Sequence, residues 1–339
     1  MRYLVTGGAG FIGSHLSAAL VRRGDEVVVL DNLSTGDVRN LARVEDSSLE
    51  FAQGSVLDPL LVDELVNRVD IVVHLAAAVG VELVMNRPLR SFITNIRGSE
   101  NVLEAAHRYR RKVLIASTSE IYGKSDQPAF KEDGDRVLGS PKVDRWAYST
   151  SKAVDEILAF GYHRERGLPT LVVRLFNTVG PGQTGAYGMV LPRLVEQALT
   201  GKPLTVYGDG RQTRCFCHVD DVVRAILGLL ADERAEGDVF NVGSTKEITI
   251  AELAQRVVGA TQSSSEISLV PYESVFEEGF EDMRRRMPDT TKIHELIGWR
   301  PEKSLDDIIS DVVSDIRAKR PATTGTTPGR QREPAHRYS

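Results

Sequence analysis

The chain has 339 residues, 41% of them hydrophobic and 26% charged, with a net charge of -5. A chain this long buries a large core and divides into more than one lobe, and its slight acidity offers no basic field for nucleic acid. No apolar run approaches the roughly 18 residues of a membrane span, and the cysteines, Cys215 and Cys217, are too few and too close for a disulfide framework or a metal site.

In chain order, the first half alternates short apolar runs with amphipathic ones. Arg2 to Thr6 reads as a strand directly after the N-terminus, so no leader segment is expected. Ile12 to Arg23 reads as a helix, Glu26 to Leu30 as a strand, Leu49 to Gln53 as a strand, Pro59 to Asn67 as a helix with Pro in its first turn, and Asp70 to Leu75 as a buried strand. Arg97 to Tyr109 is predicted helical, Lys112 to Ala116 a strand, Tyr148 to Arg166 a long helix closed by Gly167, and Leu171 to Leu175 a strand. Alternating strands and helices imply an α/β fold, a Rossmann-type doubly wound parallel sheet. After Asn177 the pattern becomes irregular: a loop over 180–185, a helix over 191–199, strands over 204–207 and 214–218, a helix over 220–230, a strand over 239–242, and a helix opened by Thr249 and Glu252. The expected division is a dinucleotide lobe over 1–176, with 215–243 packing back on it, a substrate lobe over 177–318, and a disordered tail over 319–339. Cys215 and Cys217 fall on one expected strand as reduced thiols of a cytoplasmic protein.

Gly7-x-x-Gly10-x-x-Gly13 joins the first strand to the first helix. Such a turn needs glycine for tight curvature and close approach to a pyrophosphate, which the free N–H groups of the helix N-terminus then face. Asp31, at the end of the next strand, can accept both ribose hydroxyls and repels a 2′-phosphate, which favours NAD. Small residues at 76–78 leave room for a cofactor against the backbone, while His74 reads as a packed strand-end histidine. Ser117-Thr118-Ser119-Glu120 places hydroxyl and carboxyl groups at the C-terminal end of a strand, where open α/β sheets bind ligands. Tyr148 and Lys152, four residues apart, share a helix face. A phenol ionises near pH 10, about three units too high for a base at neutrality, and a neighbouring ammonium is expected to lower it.

These motifs together, with His74-Leu75-Ala76-Ala77 and Asn177, resemble the extended short-chain dehydrogenase/reductase family of nucleotide-sugar epimerases, dehydratases and decarboxylases. The resemblance implies Thr118, Tyr148 and Lys152 as the catalytic set. It also implies NAD held by Gly7, Gly10, Phe11, Ile12, Gly13, Asp31, Asn32, Ser55, Val56, Leu75, Ala76 and Ala77 together with Tyr148 and Lys152. A homodimer through the helices near 97–109 and 148–165 follows from it, as does a UDP-sugar held by Glu120, Asn177, Val190, Tyr207, Arg214 and Arg286. Within the family, Thr118-Ser119-Glu120-x-Tyr122-Gly123 and Arg145-Trp146-Ala147-Tyr148 resemble the UDP-glucuronate decarboxylases. So does Arg284-Arg285-Arg286-Met287-Pro288-Asp289, with Arg286 implied to face the sugar carboxylate. Ser119 stands where the 4,6-dehydratases carry Asp. The loop Val79 to Met85 departs from the decarboxylases, with Val84 in place of a Tyr, and its Val-Gly pair is closer to the 4-epimerases. Ser55 replaces the usual adenine-contacting Asp. The expected activity is therefore UDP-glucuronate decarboxylation, with 4-epimerisation as the rival and a silent NAD-binding sensor as the reading of another class.

Overall fold

The structure, a computed structural model, describes residues 1–44, 47–79, 88–185, 189–274 and 283–320. The departing loop, from residue 80 on, and the tail beyond residue 320 lie outside the described residues.

The elements in chain order are β1 (Arg2–Thr6), α1 (Phe11–Arg22), β2 (Glu26–Asp31), β3 (Leu49–Gln53), α2 (Pro59–Asn67), β4 (Ile71–His74), α3 (Pro88–Tyr109), β5 (Lys112–Thr118), α4 (Arg145–Arg166) and β6 (Thr170–Leu175). They continue with β7 (Thr178–Val179), α5 (Val190–Leu199), β8 (Leu204–Tyr207), β9 (Thr213–Cys215), β10 (Cys217–His218), α6 (Val219–Leu230) and β11 (Val239–Val242). The last are β12 (Glu247–Thr249), α7 (Ile250–Thr261), β13 (Ile267–Val270), α8 (Thr291–Ile297) and α9 (Leu305–Lys319).

Seven strands form one parallel sheet in the order β11-β6-β5-β4-β1-β2-β3. Strands buried on both faces need continuous apolar runs, and Val27 to Leu30 and Ile71 to Val73 supply them. Leu16 and Leu20 of α1 pack with Val222 and Ile226 of α6 on one face. Val62, Val102, Leu103 and Ala159, from α2, α3 and α4, cover the other. Strand order reverses between β1 and β4, and such a switch point opens a crevice at the carboxyl ends of the strands. A third core, built from α5, α7, α9 and β8, fills the C-terminal lobe.

Several boundaries differ from expectation. Helix α3 starts at Pro88 rather than Arg97, which brings Asn95 onto it. The expected strand 214–218 breaks at Phe216, because Cys215 pairs antiparallel with Glu247 and Cys217 pairs parallel with Thr178. The two thiols thus belong to separate small sheets, and both are free and buried. Burial pushes the Cys215 thiol up to about 12 and Cys217 higher still. Helix α9 runs to Lys319, the expected first residue of the tail, and is opened by a capping box between Ser304 and Asp307.

Candidate active site

At the switch point the glycine turn meets the end of β4. Gly7 has φ +71°, and a Cβ there would stand 2.8 Å from the Ala76 backbone nitrogen. A Cβ on Gly13 would stand 2.3 Å from the Gly7 carbonyl oxygen. Any side chain at either position would clash with backbone, so glycine is required. Helix α1 starts after Gly10 with no side-chain cap and no acid in its first turn, which leaves its N–H groups and partial positive charge facing the crevice. Asp31 is buried at the end of β2, where Oδ2 accepts from the Ala9 N–H at 3.0 Å and Oδ1 from the Leu33 N–H at 2.8 Å. Each oxygen keeps a lone pair for a ribose hydroxyl. The Asn40 side chain donates to the Ala9 carbonyl at 2.9 Å and braces the turn from outside. A glycine cradle, an uncapped helix start and a held carboxylate fit a dinucleotide.

Of the other expected cofactor residues, Phe11 and Ile12 open α1, and Leu75, Ala76 and Ala77 line the exit of β4. Asn32 and Ser55 follow β2 and β3, each accepting from a backbone N–H two residues on. Val56 is buried against α3, its carbonyl taking the Asn101 amide at 2.9 Å.

β5 extends through Thr118, so this hydroxyl is the last residue of a strand rather than part of a loop. Ser119–Tyr122 forms a 3-10 turn capped by Thr118, whose Oγ1 accepts from the Glu120 N–H at 3.2 Å. Thr118 is also hydrogen-bonded to the Tyr148 hydroxyl. Ser149, next to Tyr148 on α4, donates to the Glu120 carbonyl at 2.8 Å, locking that turn to the helix. Arg286 reaches the Glu120 carboxylate at 3.3 Å, with both side chains 11% exposed. Its segment is stitched in place on two sides: the Thr213 N–H donates to the Arg284 carbonyl at 2.9 Å, and the Phe130 N–H to the Met287 carbonyl at 2.8 Å.

Tyr148 is held well above the ordinary phenol value. Burial is the largest cause, and the Glu120 and Asp155 carboxylates add to it; the Thr118 hydrogen bond and Arg286 oppose it. The net shift is upward, opposite to the lowering expected from a nearby ammonium and a nicotinamide cation together. Lys152 donates to Asp155 Oδ2 at 2.7 Å, so its charge is answered by another group. Asn95 lies before the helix expected from Arg97, so the sequence pattern does not single it out. Its amide nitrogen donates to Ser151 at 3.0 Å and its oxygen accepts from the Ala78 N–H at 2.8 Å, tying α4 to the exit of β4.

The remaining residues expected to hold substrate lie in the C-terminal lobe. Asn177 takes φ +29°, and its amide donates to the Cys215 carbonyl at 3.2 Å. Arg214 is buried in β9 and donates to the Thr213 carbonyl at 2.8 Å. Val190 opens α5. Tyr207 ends β8 under Arg193, whose guanidinium lies 4.4 Å from the ring centre; Arg193 went unread because an arginine on an exposed-looking helix turn carries no distinguishing pattern. Among the described residues there is no cluster of ligand-type side chains able to hold a metal ion.

A parallel sheet with an open switch point, and a Tyr-x-x-x-Lys helix beside a Thr strand end, define a dinucleotide-dependent oxidoreductase site. The chain belongs to the NAD dependent epimerase/dehydratase family, whose model matches residues 3–243. It is 42% identical over 317 residues to the UDP-N-acetyl-alpha-D-glucosaminuronate decarboxylase of Bacillus cytotoxicus, covering 93% of this chain and 98% of that protein. It is 36% identical over 320 residues to UDP-glucuronic acid decarboxylase 1 of Arabidopsis thaliana, covering 94% and 70%. Among solved structures, the UDP-glucuronic acid 4-epimerase of Bacillus cereus in complex with UDP-glucuronic acid and NAD superposes with a TM-score of 0.84 at 28% identity, covering 94% of this chain and 99% of that one.

Proposed function

We propose that this protein is an NAD-dependent UDP-glucuronate decarboxylase that forms UDP-xylose through a UDP-4-keto-pentose. The observation that carries this reading is the Glu120–Arg286 pair beside Tyr148. A guanidinium nearly out of water at the base's side is suited to a carboxylate, because its planar fork makes two charge-assisted bonds. The names of the two decarboxylases to which the chain is 42% and 36% identical support the same reaction.

Gly7, Gly10, Gly13 and Asp31 would cradle NAD, with Lys152 on its ribose, and the bound nicotinamide would supply a reversible hydride acceptor for C4 of the sugar. Tyr148 Oη accepts the proton of the 4-hydroxyl, with Thr118 Oγ1 sharing that hydrogen bond. Once C4 is a ketone, the C5 carboxylate is β to a carbonyl, and CO2 leaves with its electron pair delocalised onto the ketone oxygen. Tyr148 and Thr118 donate to that oxygen as charge develops. Arg286 holds the carboxylate until it departs, and a solvent proton then reaches C5 with Glu120, or a water it holds, assisting. Asn177 and Arg214 bind the diphosphate, with Val190 and Tyr207 near the base.

In this reading residues 1–176 and 215–243 form the NAD lobe and 177–318 the substrate lobe. No helix among the described residues is long and apolar enough to cross a membrane, which suits a cytoplasmic enzyme. Leu89 on α3 and Ile157 on α4 are large exposed apolar side chains on adjacent packed helices, and they support a homodimer through that face.

The test is to incubate the protein with UDP-glucuronate and NAD, and in parallel with UDP-N-acetylglucosaminuronate, which shares the C4 hydroxyl and C5 carboxylate. The expected outcome is a nucleotide-sugar lighter by one CO2. An unchanged mass with inversion at C4 would establish the epimerase instead.

A further inference from the structure

Helix α4 carries, three residues beyond Lys152, a carboxylate that the reaction above does not use. Asp155 is fully buried, and its Oδ2 accepts from the Lys152 ammonium at 2.7 Å. Its other oxygen, Oδ1, is buried with no hydrogen-bond partner among the described residues. Lys152 is itself only 2% exposed. Taking an ammonium and a carboxylate out of water costs several kcal/mol each, roughly recovered only when the charges meet in good geometry with their remaining bonds made. Here the pair meets, but one carboxylate oxygen is left over.

A third buried group faces the same ammonium. The Ala76 N–H donates to Thr6 Oγ1 at 3.2 Å, and the same oxygen lies 2.8 Å from His74 Nδ1. His74 Nε2 is likewise buried with no hydrogen-bond partner among the described residues. Burial, reinforced by Lys152, drives the His74 pKa down to about 3, so the ring is neutral at working pH. His74 therefore adds no charge, and Asp155 answers the ammonium.

We propose that Asp155 is a positioning residue acting through Lys152: it anchors the ammonium on the inner side of α4 and competes for it with the cofactor's ribose hydroxyls. The strength of this one ion pair then governs both how firmly the nucleotide is held and how much positive charge reaches Tyr148. The groups facing Tyr148 are Thr118 from β5, Glu120 from the 3-10 turn, Arg286 from the 284–289 segment, and Asp155 from its own helix. Of the two carboxylates, Glu120 faces Arg286 whereas Asp155 faces Lys152, so exchange of Lys152 onto a ribose would leave Asp155 the less compensated of the two. This inference rests on Tyr148 being the base, as proposed above.

The experiment compares the full wild-type chain with Asp155→Asn and Asp155→Ser, both neutral, and with Asp155→Glu, which keeps the charge. NAD affinity is read by calorimetric titration of nucleotide-stripped protein, and the base by the pH profile of kcat/KM on UDP-glucuronate. The neutral variants should bind NAD roughly threefold or more tighter, and the acid limb should move to lower pH by about half a unit or more, since a carboxylate opposing the phenolate has gone. Asp155→Glu should keep the wild-type limb. Unchanged NAD affinity together with an unmoved limb in a folded neutral variant overturns the proposal. If neither neutral variant folds, Asp155→Glu decides it: a limb that shifts although the charge is kept overturns it as well. Should the protein fail to turn over UDP-glucuronate at all, the NAD titration still reads the Asp155–Lys152 competition, so failure of the substrate assignment and failure of this inference are separable.

Discussion

Glu120 and Arg286 act on Tyr148 with opposite sign, and that opposition can be measured. The Glu120 charge raises the phenol pKa and the Arg286 charge lowers it. A base must be deprotonated to work, so activity falls as pH drops through its pKa. Glu120→Gln should therefore move the acid limb of kcat/KM to lower pH, and Arg286→Leu should move it to higher pH. Limbs moving the same way in both variants would mean that the two charges do not both bear on Tyr148. Arg286→Leu should also raise KM for UDP-glucuronate at least about tenfold, since a charge-assisted contact to the carboxylate is lost, whereas Glu120→Gln should lower kcat by about 10²-fold through loss of the carboxylate that assists reprotonation at C5. Glu120 was legible in the sequence because a polar residue directly after an apolar strand has a known place in an α/β sheet. Arg286 was legible only through resemblance, since nothing in one basic run says which arginine turns inward. Asp155 was not legible at all, because an acid three residues from a lysine is commonplace on helices.

The strand β4 illustrates what an element adds to its residues. Its apolar run was readable, and so was a packed histidine at its end. That His74 holds the Thr6 hydroxyl, and through it the Ala76 N–H, depends on β1 and β4 lying side by side in register. The same burial makes His74 a source of acid sensitivity. At pH 7 the ring is neutral in both the folded and the unfolded chain and adds no pH dependence. Below about 6.5 the unfolded chain takes up a proton that the folded ring refuses until about 3. Stability should thus fall by up to ~1.4 kcal/mol per pH unit from this group in that window. Thermal melts between pH 7 and 5 check it: His74→Gln should lose less stability on acidification than the wild type, and parallel curves would show that the folded ring takes up its proton as readily as the unfolded one. Other elements hid from the sequence for plain reasons. β13 is four residues long and turns its apolar Ile267 and Leu269 outward, and α8 is only seven residues long.

For the molecule as a whole, the site is assembled by a buried polar junction joining distant parts of the chain. Arg174 on β6 makes a two-pronged pair with Glu156 on α4, at 2.9 and 2.8 Å, and donates to the Tyr122 hydroxyl. That hydroxyl donates to Asn241 on β11, whose amide nitrogen in turn donates to the carbonyls of Phe130 and Asp289. The turn carrying Glu120 and the segment carrying Arg286 are thus braced by one network. The assembly prediction belongs at this scale too. If α3 and α4 form a homodimer face, Ile157→Lys should halve the mass seen by light scattering, because an ammonium would be buried unpaired; an undiminished mass would place the interface elsewhere. The sequence by itself, through local periodicity and short spacings, determined the parallel sheet and the glycine cradle and put Asp31 at a strand end and Tyr148 and Lys152 on one helix face, whereas grouping Thr118, Tyr148 and Lys152 as a set rests on the family resemblance. Only the tertiary structure decided that β11 returns to complete the sheet beside β6, that Arg286 reaches Glu120, and that Lys152 is answered by Asp155. Those three depend on which faces meet after the chain has folded back, and contacts between segments remote in sequence leave no periodic trace along it.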